Sequence, residues 1–187
     1  MTPLESHVFT SNAALPEHFA WQILSFVRVQ WFDPIADFAD TNFIGDDWYP
    51  THFVLAQGQT VISYTGVVWR TIEHAGDFYR TYGLSCVFTF PAFRGREYGR
   101  RVVNAATAHI DAAGDGDIAL LFTWSDRERF YQHCGWESMP RTKILIGDRT
   151  RPQLHDFLPM MRFLSAKGRA QRSTFDDTQL YVGEIPW

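Results

Sequence analysis

Cysteine is scarce in this chain, which argues against two classes of small protein. Only Cys86 and Cys134 occur among 187 residues. Disulfide-stabilised secreted domains and zinc domains need more cysteines, at short and recurrent spacings. The histidines show no His-x-x-x-His spacing of the kind that binds a metal. The sequence therefore predicts a reducing compartment and no metal, with both cysteines acting as small apolar residues.

Long apolar runs and an excess of positive charge are also missing. No run approaches the roughly 20 residues that span a membrane, and residues 1–13 lack the basic and apolar regions of a secretory leader. The formal net charge of −4 argues against a nucleic-acid binder, which usually presents a basic surface. These absences favour a cytoplasmic protein with no membrane and no nucleic-acid partner. The length predicts a single domain over residues 1–187.

Lysine and arginine are absent between Arg28 and Arg70, where acidic residues accumulate instead. Two interpretations stay open. The segment is a solvated acidic surface, or it is a negative rim that attracts a cationic amine, helped by aromatic faces. The aspartates are Asp33, Asp37, Asp40, Asp46 and Asp47, and the aromatic residues beside them are Trp31, Phe32, Trp48 and Tyr49.

Regular patterns on either side of this segment predict a mixed order of helix and strands. Helical spacing begins after Pro16 and ends near Phe32. β-branched and aromatic runs then predict strands over 52–55, 60–74 and 78–90, joined by glycine turns into an antiparallel meander. Gly66 is the expected position of a β-bulge.

The segment from residue 87 to residue 113 combines a strand, a basic turn and a helix. Pro91 must end the strand because it has no N–H for the ladder, and apolar residues then recur at helical spacing up to Gly114. The first N–H groups of a helix are unpaired, and the helix dipole favours an anion there. Arginines at 94, 96, 100 and 101 add positive charge. The pattern predicts a pyrophosphate site, although an ordinary turn with solvated arginines would look the same.

Beyond this helix, the residues predict one parallel crossover and a less regular C-terminal part. The apolar run 118–122 is typical of a buried strand that lies parallel to the strand before the turn. Ser125 and Glu128 fit a capping box for a short helix over 126–133. The basic segment 147–175 contains apolar residues at 154–164 with helical spacing, which predicts an amphipathic helix. Its role is left open between a lid, a homodimer contact and plain packing. Residues 178–185 are expected to form a closing strand.

Two of these segments resemble the GCN5-related N-acetyltransferase (GNAT) family. Arg94, Gly95 and Gly99 fit the family's Arg/Gln-x-x-Gly-x-Gly/Ala turn, and Tyr131 with Gly135 fits Tyr-x-x-x-Gly-Phe/Trp. The second motif follows one helix and one strand after the first, in the family's order. The likeness covers roughly residues 50–146. It implies an α+β fold with a mixed, mainly antiparallel sheet of six to seven strands, flanked by helices.

The resemblance also implies an activity, acetyl-CoA-dependent N-acetylation of a small amine. Tyr131 would protonate the CoA thiolate as general acid, and backbone groups of the strand before the turn would hold the pantetheine and polarise the thioester. The implied acetyl-CoA-binding residues are Val87, Phe88, Thr89, Arg94, Gly95, Arg96, Glu97, Tyr98, Gly99 and Arg100, and the implied acceptor-binding residues are Asp46, Asp47 and Trp48.

Three positions depart from the family pattern. Glu97 stands where a glycine is usual, and Trp124 stands where an asparagine often contacts the CoA arm. Ser85 occupies the region of the strand that often supplies a glutamate base, so a base would act through water from Asp46, Asp47 or Glu73. Within the family, the Asp46-Asp47-Trp48 segment is similar to the aminoglycoside 2′-N-acetyltransferases. The abundant aromatic residues also suit nodulation acyltransferases, which use long acyl chains.

The predicted function is therefore acetyl transfer from acetyl-CoA to a primary amine of a small, cationic acceptor such as an amino sugar or a polyamine. The alternatives are a non-catalytic acyl-CoA-binding or sensor domain and an acyltransferase that uses a longer acyl chain. A nucleotide-binding protein is disfavoured because the Gly-rich fingerprints of such folds are missing.

Overall fold

The computed structural model describes residues 3–31, 44–184 and 187. Four α-helices occur in these ranges: α1 (Glu17–Gln30), α2 (Tyr98–Ala113), α3 (Glu128–Gln132) and α4 (Ala166–Ala170). The strands are β1 (Leu4–Phe9), β2 (Thr51–Gln57), β3 (Thr60–His74), β4 (Asp77–Thr89), β5 (Ile118–Thr123), β6 (Glu137–Ser138), β7 (Lys143–Ile146), β8 (Gln153–His155), β9 (Leu158–Phe163) and β10 (Gln179–Tyr181).

The strands form two sheets, one large and one small. The larger sheet has seven strands in the order β1-β2-β3-β4-β5-β9-β6, and β4 and β5 are its parallel pair. The mixed, mainly antiparallel sheet of six to seven strands, with one parallel crossover and flanking helices, is thus confirmed. A three-stranded sheet in the order β10-β7-β8 was not predicted. Among the described residues, no helix has the length and apolar character needed to cross a membrane.

The chain divides into two compact units. The first consists of Met1–Val68 and Ser85–Ala106, and the second consists of Trp69–Leu84 and Thr107–Trp187. The strands β3 and β4 and the helix α2 therefore contribute residues to both units. The expectation of a single domain stays a prediction.

In the first unit, α1 buries the apolar stripe that its sequence periodicity predicts. Phe19, Ile23, Leu24 and Val27 lie at successive helical steps and are all buried. The helix begins after Pro16 and ends at Gln30, two residues before the predicted end.

The hairpin of β2 and β3 forms at the predicted residues. Its one shift of register, however, lies at a residue that was not predicted. Gly66 pairs in register with His52, so the pairing of β2 with β3 has no bulge at Gly66. The register instead shifts between Leu55 and Ala56, which pair with Ser63 and Val61 and leave Ile62 as the extra residue. Gly66 serves close packing, since a Cβ there would lie 2.8 Å from the Ile44 side chain.

In the second unit, β5 is the most buried strand. Ile118 and Leu120 belong to a core cluster with Met161 and Phe175, and Thr81–Gly83 of β4 pair in parallel with Ile118–Leu120. Gly114 has φ of 69° after α2, as a left-handed helix-ending glycine should.

Two helical predictions for the second unit are wrong. The segment 154–164 forms the end of β8 and the strand β9 rather than an amphipathic helix. Pro159 lies within this segment, and a proline inside a helix removes a hydrogen bond and clashes with the preceding turn. The Ser125 capping box is also absent, because residues 125–127 form a 3-10 turn and Arg127 precedes α3 without a side-chain cap.

Candidate functional site

The turn between β4 and α2 is strongly exposed and conformationally specialised. After β4, residues Pro91–Phe93 form a 3-10 turn, and α2 begins at Tyr98. Gly95 and Glu97 adopt left-handed conformations, with φ of 75° and 63°. A Cβ at Gly95 would meet no atom within 4 Å, so the space beside it is open. Glycine is favoured in this left-handed conformation, and Glu97 adopts the same conformation. The turn therefore keeps its backbone shape although it has no glycine at position 97.

Four arginines and one glutamate set the charge of this turn. Glu97 forms an ion pair with Arg100 at 2.6 Å, and the Arg94 Nε donates to the Thr89 carbonyl at 3.1 Å. Arg96 and Arg101 are exposed. The excess of positive charge is preserved, and the one carboxylate is held by a neighbouring guanidinium.

The turn carries backbone and side-chain groups that favour an anion. The first backbone bond of α2 runs from the Arg101 N–H to the Glu97 carbonyl at 3.0 Å, so the amides just before Arg101 have no acceptor within the helix. These amides, the open space at Gly95 and the arginine excess give the turn a positive potential that favours an anion. The predicted residues Arg94, Gly95, Arg96, Glu97, Tyr98, Gly99 and Arg100 therefore lie on one continuous turn.

The end of β4 carries a second backbone irregularity. Cys86 has φ of 52° within the strand, and burial raises the pKa of its thiol to about 11, although a hydrogen bond from Ser85 Oγ lowers it. A thiol of this kind stays protonated and is a poor nucleophile. The Phe88 carbonyl accepts from Ser63 Oγ at 2.7 Å. Two predicted carbonyls, those of Phe88 and Thr89, thus already have intramolecular partners, and Val87 is half-buried.

A buried polar chain in the first unit ends at Asp46. The Asn12 amide donates to Asp46 Oδ1 at 2.7 Å and to the Ile44 carbonyl at 2.8 Å. The side-chain oxygen of Asn12 therefore accepts a hydrogen bond from His52 Nε2 at 3.1 Å. On the other side of the ring, His52 Nδ1 accepts from the Tyr64 hydroxyl at 2.8 Å. Burial lowers the pKa of His52 to about 4, so the imidazole is neutral at physiological pH.

The predicted acceptor residues thus have unequal surroundings. Asp46, Asp47 and Trp48 form one 3-10 turn, and both carboxylates are exposed. Asp46 is fixed by Asn12, which the sequence reasoning missed because the two residues are 34 positions apart. Asp33, Asp37 and Asp40 lie outside the described residues.

Tyr131 lies in the second unit, on α3, and its side chain is almost fully buried. Burial raises the pKa of its phenol well above the usual range, while the charge of Arg127 and a hydrogen bond with Thr123 lower it. The phenol therefore keeps its proton at neutral pH. A group in this state can donate a proton but cannot act as a base.

Glu73, the third carboxylate considered as a base, is already engaged. It forms an ion pair with Arg149 at 2.5 Å in the second unit. Among the described residues, no group of three His, Cys, Asp or Glu side chains is arranged to hold a metal ion.

An aromatic pocket in the second unit was missed by the sequence reasoning. It has a volume of about 250 Å³ and is lined by Trp124, by His155–Phe157 and by residues near the start of β7. It was not predicted because residues 154–164 were expected to form a helix. Pro159 was a signal against that helix, and a strand there would have placed His155 and Phe157 beside it.

Comparisons with known proteins bear on the family and on the fold. The sequence model of the acetyltransferase (GNAT) family matches residues 15–136. No curated protein sequence matches significantly.

Several solved structures are similar in fold. One is Escherichia coli ElaA, with TM-score 0.59, 15% identity and coverage of 86% of this chain and 99% of that one. A second is an acyl-CoA N-acyltransferase from Pseudomonas aeruginosa, with TM-score 0.57, 13% identity and coverage of 86% and 99%. An acetyltransferase from Streptococcus agalactiae has TM-score 0.56, 14% identity and coverage of 85% and 98%. At these identities the likeness shows the fold alone, whereas the family match spans more than half of the sequence. The chain belongs to the GNAT acetyltransferase family.

Proposed function

We propose that this chain is an acetyl-CoA-dependent N-acetyltransferase that modifies a primary amine of a small, cationic acceptor. The observation that carries the proposal is the exposed basic turn at the start of α2, where Gly95 and Glu97 are left-handed and the space beside Gly95 is open. Acetyl-CoA, when bound, supplies an activated acetyl thioester. The organisation we propose is one acyl-CoA N-acyltransferase domain in the cytoplasm, which agrees with Cys86 and Cys134 being thiols rather than a disulfide.

In this proposal the turn binds the diphosphate. The α2 amides and the residues from Arg94 to Arg100 supply donors and positive charge. Backbone groups of Val87, Phe88 and Thr89 hold the arm of the donor. The Phe88 and Thr89 carbonyls already accept bonds, so the N–H groups and Val87 are the better candidates for contacts to the donor.

Tyr131 acts as the general acid. The amine nitrogen attacks the thioester carbonyl, the C–N bond forms, the C–S bond breaks, and the leaving thiolate takes the Tyr131 proton. The phenol is protonated at neutral pH and so has a proton to donate, although its raised pKa makes it a weaker acid than an exposed tyrosine. The phenol is restored by proton uptake from solvent, and the attacking amine passes its own proton to water.

Asp46, Asp47 and Trp48 bind the acceptor in this account. Two exposed carboxylates beside an indole suit a cationic amine. Asp46 is oriented by Asn12, whereas Asp47 is the better candidate to accept a proton through water because no such contact orients it among the described residues.

A second function is a non-catalytic acyl-CoA sensor. The observation that favours it is the state of the possible bases: Ser85 is buried, Asp46 is bound by Asn12, and Glu73 is paired with Arg149. An acyltransferase for longer chains is a third option, and the donor series below separates it from acetyl transfer.

The test is release of free CoA thiol from acetyl-CoA, measured against a panel of polyamines, aminoglycosides and monoamines. The proposal expects amine-dependent thiol release and an N-acetylated product detected by mass spectrometry. Acetyl-CoA binding without turnover on any amine would support the sensor instead. The same assay with octanoyl-CoA in place of acetyl-CoA tests which length of acyl group the protein transfers. A higher kcat/KM for octanoyl-CoA than for acetyl-CoA would show that the protein transfers longer acyl chains rather than acetyl.

A further inference from the structure

The aromatic pocket has walls that suit a planar ring. Trp124 and Phe157 meet edge to face, with ring centroids 4.9 Å apart, and Phe157 stacks on His155 at 3.7 Å. Trp124 is 50% exposed, so much of its indole remains available to a ligand. Phe122 continues the aromatic row behind Phe157, at 6.3 Å. Aromatic rings pair with such walls in offset or edge-to-face arrangements.

One buried polar atom in this pocket has no partner. His155 Nδ1 is buried and makes no hydrogen bond among the described residues. Burial lowers the pKa of His155, although Asp156 raises it, so the ring is neutral and Nδ1 can either donate or accept. An unpaired buried polar atom is unfavourable, and a ligand hydroxyl or amine would satisfy it.

The remaining lining is polar and carries charge of both signs. Ser125, Asp156 and Lys143 are exposed at the pocket, whereas the Thr142 hydroxyl already donates to the Phe175 carbonyl. An alkyl chain would leave these polar groups without partners. A ring that bears a polar substituent and a cationic amine complements them, because Asp156 attracts the cation.

The pocket adjoins a residue that acts on Tyr131. Thr123, whose side chain lowers the pKa of the Tyr131 phenol, directly precedes Trp124. Successive side chains of a strand point to opposite faces. Phe122, which contacts Phe157, and Thr123, which contacts Tyr131, therefore face opposite sides of β5. A ligand in the pocket approaches this end of β5 from the side opposite to the phenol.

We propose that this pocket binds the aromatic ring of the acceptor, and that the acceptor is a small primary amine whose ring carries a hydroxyl or another polar group. The inference rests on the proposed function and narrows it. The volume agrees with this size, because a cavity of about 150 Å³ already holds benzene in another protein, and 250 Å³ leaves room for a substituent and a short amine chain.

The experiment compares three amines of matched length: 2-phenylethylamine, 2-cyclohexylethylamine and 4-hydroxyphenylethylamine. Binding is measured by calorimetry without donor, and kcat/KM is measured with acetyl-CoA. We expect the affinity and the kcat/KM of the phenyl compound to exceed those of the cyclohexyl compound at least about tenfold. The hydroxyl group should raise both quantities by a further few-fold. Trp124→Leu should abolish the phenyl preference, and His155→Phe should abolish the hydroxyl gain. Trp21→Leu, at an exposed indole on α1, is the matched control.

The outcomes separate this inference from the proposed function. Equal binding of the phenyl and cyclohexyl amines, or a preference that survives in Trp124→Leu, overturns the inference, even if other amines are acetylated. Aryl amine binding that depends on Trp124, with no turnover of any amine, supports the pocket and overturns the proposed function. A Trp124→Leu effect confined to the acyl-chain preference of the donor overturns the inference in favour of an acyl pocket.

Discussion

The carboxylate of Glu97 lies 2.6 Å from the guanidinium of Arg100, three residues further along α2. Glu97 also has φ of 63°, a conformation that costs a non-glycine residue roughly 1–2 kcal/mol. The ion pair turns the acidic side chain toward its own helix and offsets part of this cost. The turn thus keeps its shape and most of its positive charge although it lacks the glycine that is usual at this position.

Glu97→Gly should strengthen acetyl-CoA binding. The substitution removes a negative charge near the start of α2 and releases Arg100, an effect of roughly 0.3–1 kcal/mol, or about two- to five-fold in Kd. Glu97→Gln removes the charge but keeps the strained backbone, and should give a similar gain. Calorimetric titration of both variants measures this. Binding that is unchanged or weaker in both would mean that Glu97 does not oppose the anion.

Tyr131→Phe should lower kcat by about 10²–10⁴-fold while leaving the Kd for acetyl-CoA within about two-fold. Phenylalanine fills the same buried space but has no proton to donate. Tyr181→Phe is the control, since its hydroxyl also makes a hydrogen bond, to the Gly147 carbonyl at 2.8 Å, but has no role in the reaction. Steady-state kinetics with the best amine of the panel measures both. A kcat near that of the wild type would remove Tyr131 from the chemistry.

The neutral state of His52 makes the stability of the fold depend on pH. Its pKa is about 4 in the folded protein and about 6.5 when unfolded. At pH above 6.5 neither state binds the proton, and the contribution of His52 is fully present. As the pH falls from 6.5 toward 4, the unfolded state binds a proton that the folded state refuses, so stability decreases by roughly 3 kcal/mol.

Denaturant unfolding at pH 7.5, 6 and 5 measures this dependence. His52→Gln should flatten the decrease over this range, at a lower starting stability, because glutamine does not titrate. His18→Gln, at an exposed histidine on α1, should leave the decrease in place. The same pH slope in His52→Gln and in the wild type would show that another group is responsible.

Gly168→Ala tests the close packing of α4 against Asp117, which directly precedes β5. Ordinary helix propensity would make alanine more stable than glycine within α4 by about 1 kcal/mol. However, a Cβ at position 168 would lie 2.1 Å from the Asp117 carbonyl oxygen. We therefore expect destabilisation by at least about 1–3 kcal/mol, measured by urea unfolding. Ala170→Gly is the control and should cost only its propensity difference. A more stable Gly168→Ala variant would contradict the contact.

The sequence was most informative where one pattern dominated. Strands β2, β3 and β4 are rich in β-branched and aromatic residues, and α2 has an unbroken apolar stripe that ends at Gly114. These local signals decide the type of an element even without tertiary contacts. The strand-helix-strand unit around α2 then predicted the parallel pairing of β4 and β5, which the structure confirms.

The sequence failed where tertiary contacts outweighed the local pattern. Leu154, Phe157, Leu158, Met161 and Leu164 have helical spacing, but β9 pairs with β5 on one side and with β6 on the other. Apolar residues on both faces of such a central strand have no clear period of two. The Asn12–Asp46 contact could not be predicted, because it joins residues that are 34 positions apart in the sequence.

Calorimetric titration of acetyl-CoA into the wild type and into the double variant Arg96→Glu/Arg101→Glu tests the central claim most directly. Arg151→Glu, at an exposed arginine between β7 and β8, is the matched control, and thermal unfolding checks that all three proteins are folded. The account predicts micromolar binding of acetyl-CoA and of desulfo-CoA but not of ATP, with a loss of at least about tenfold in the double variant only. No binding to the wild type, or equal binding to the double variant, would contradict the assignment of this turn as the acetyl-CoA site.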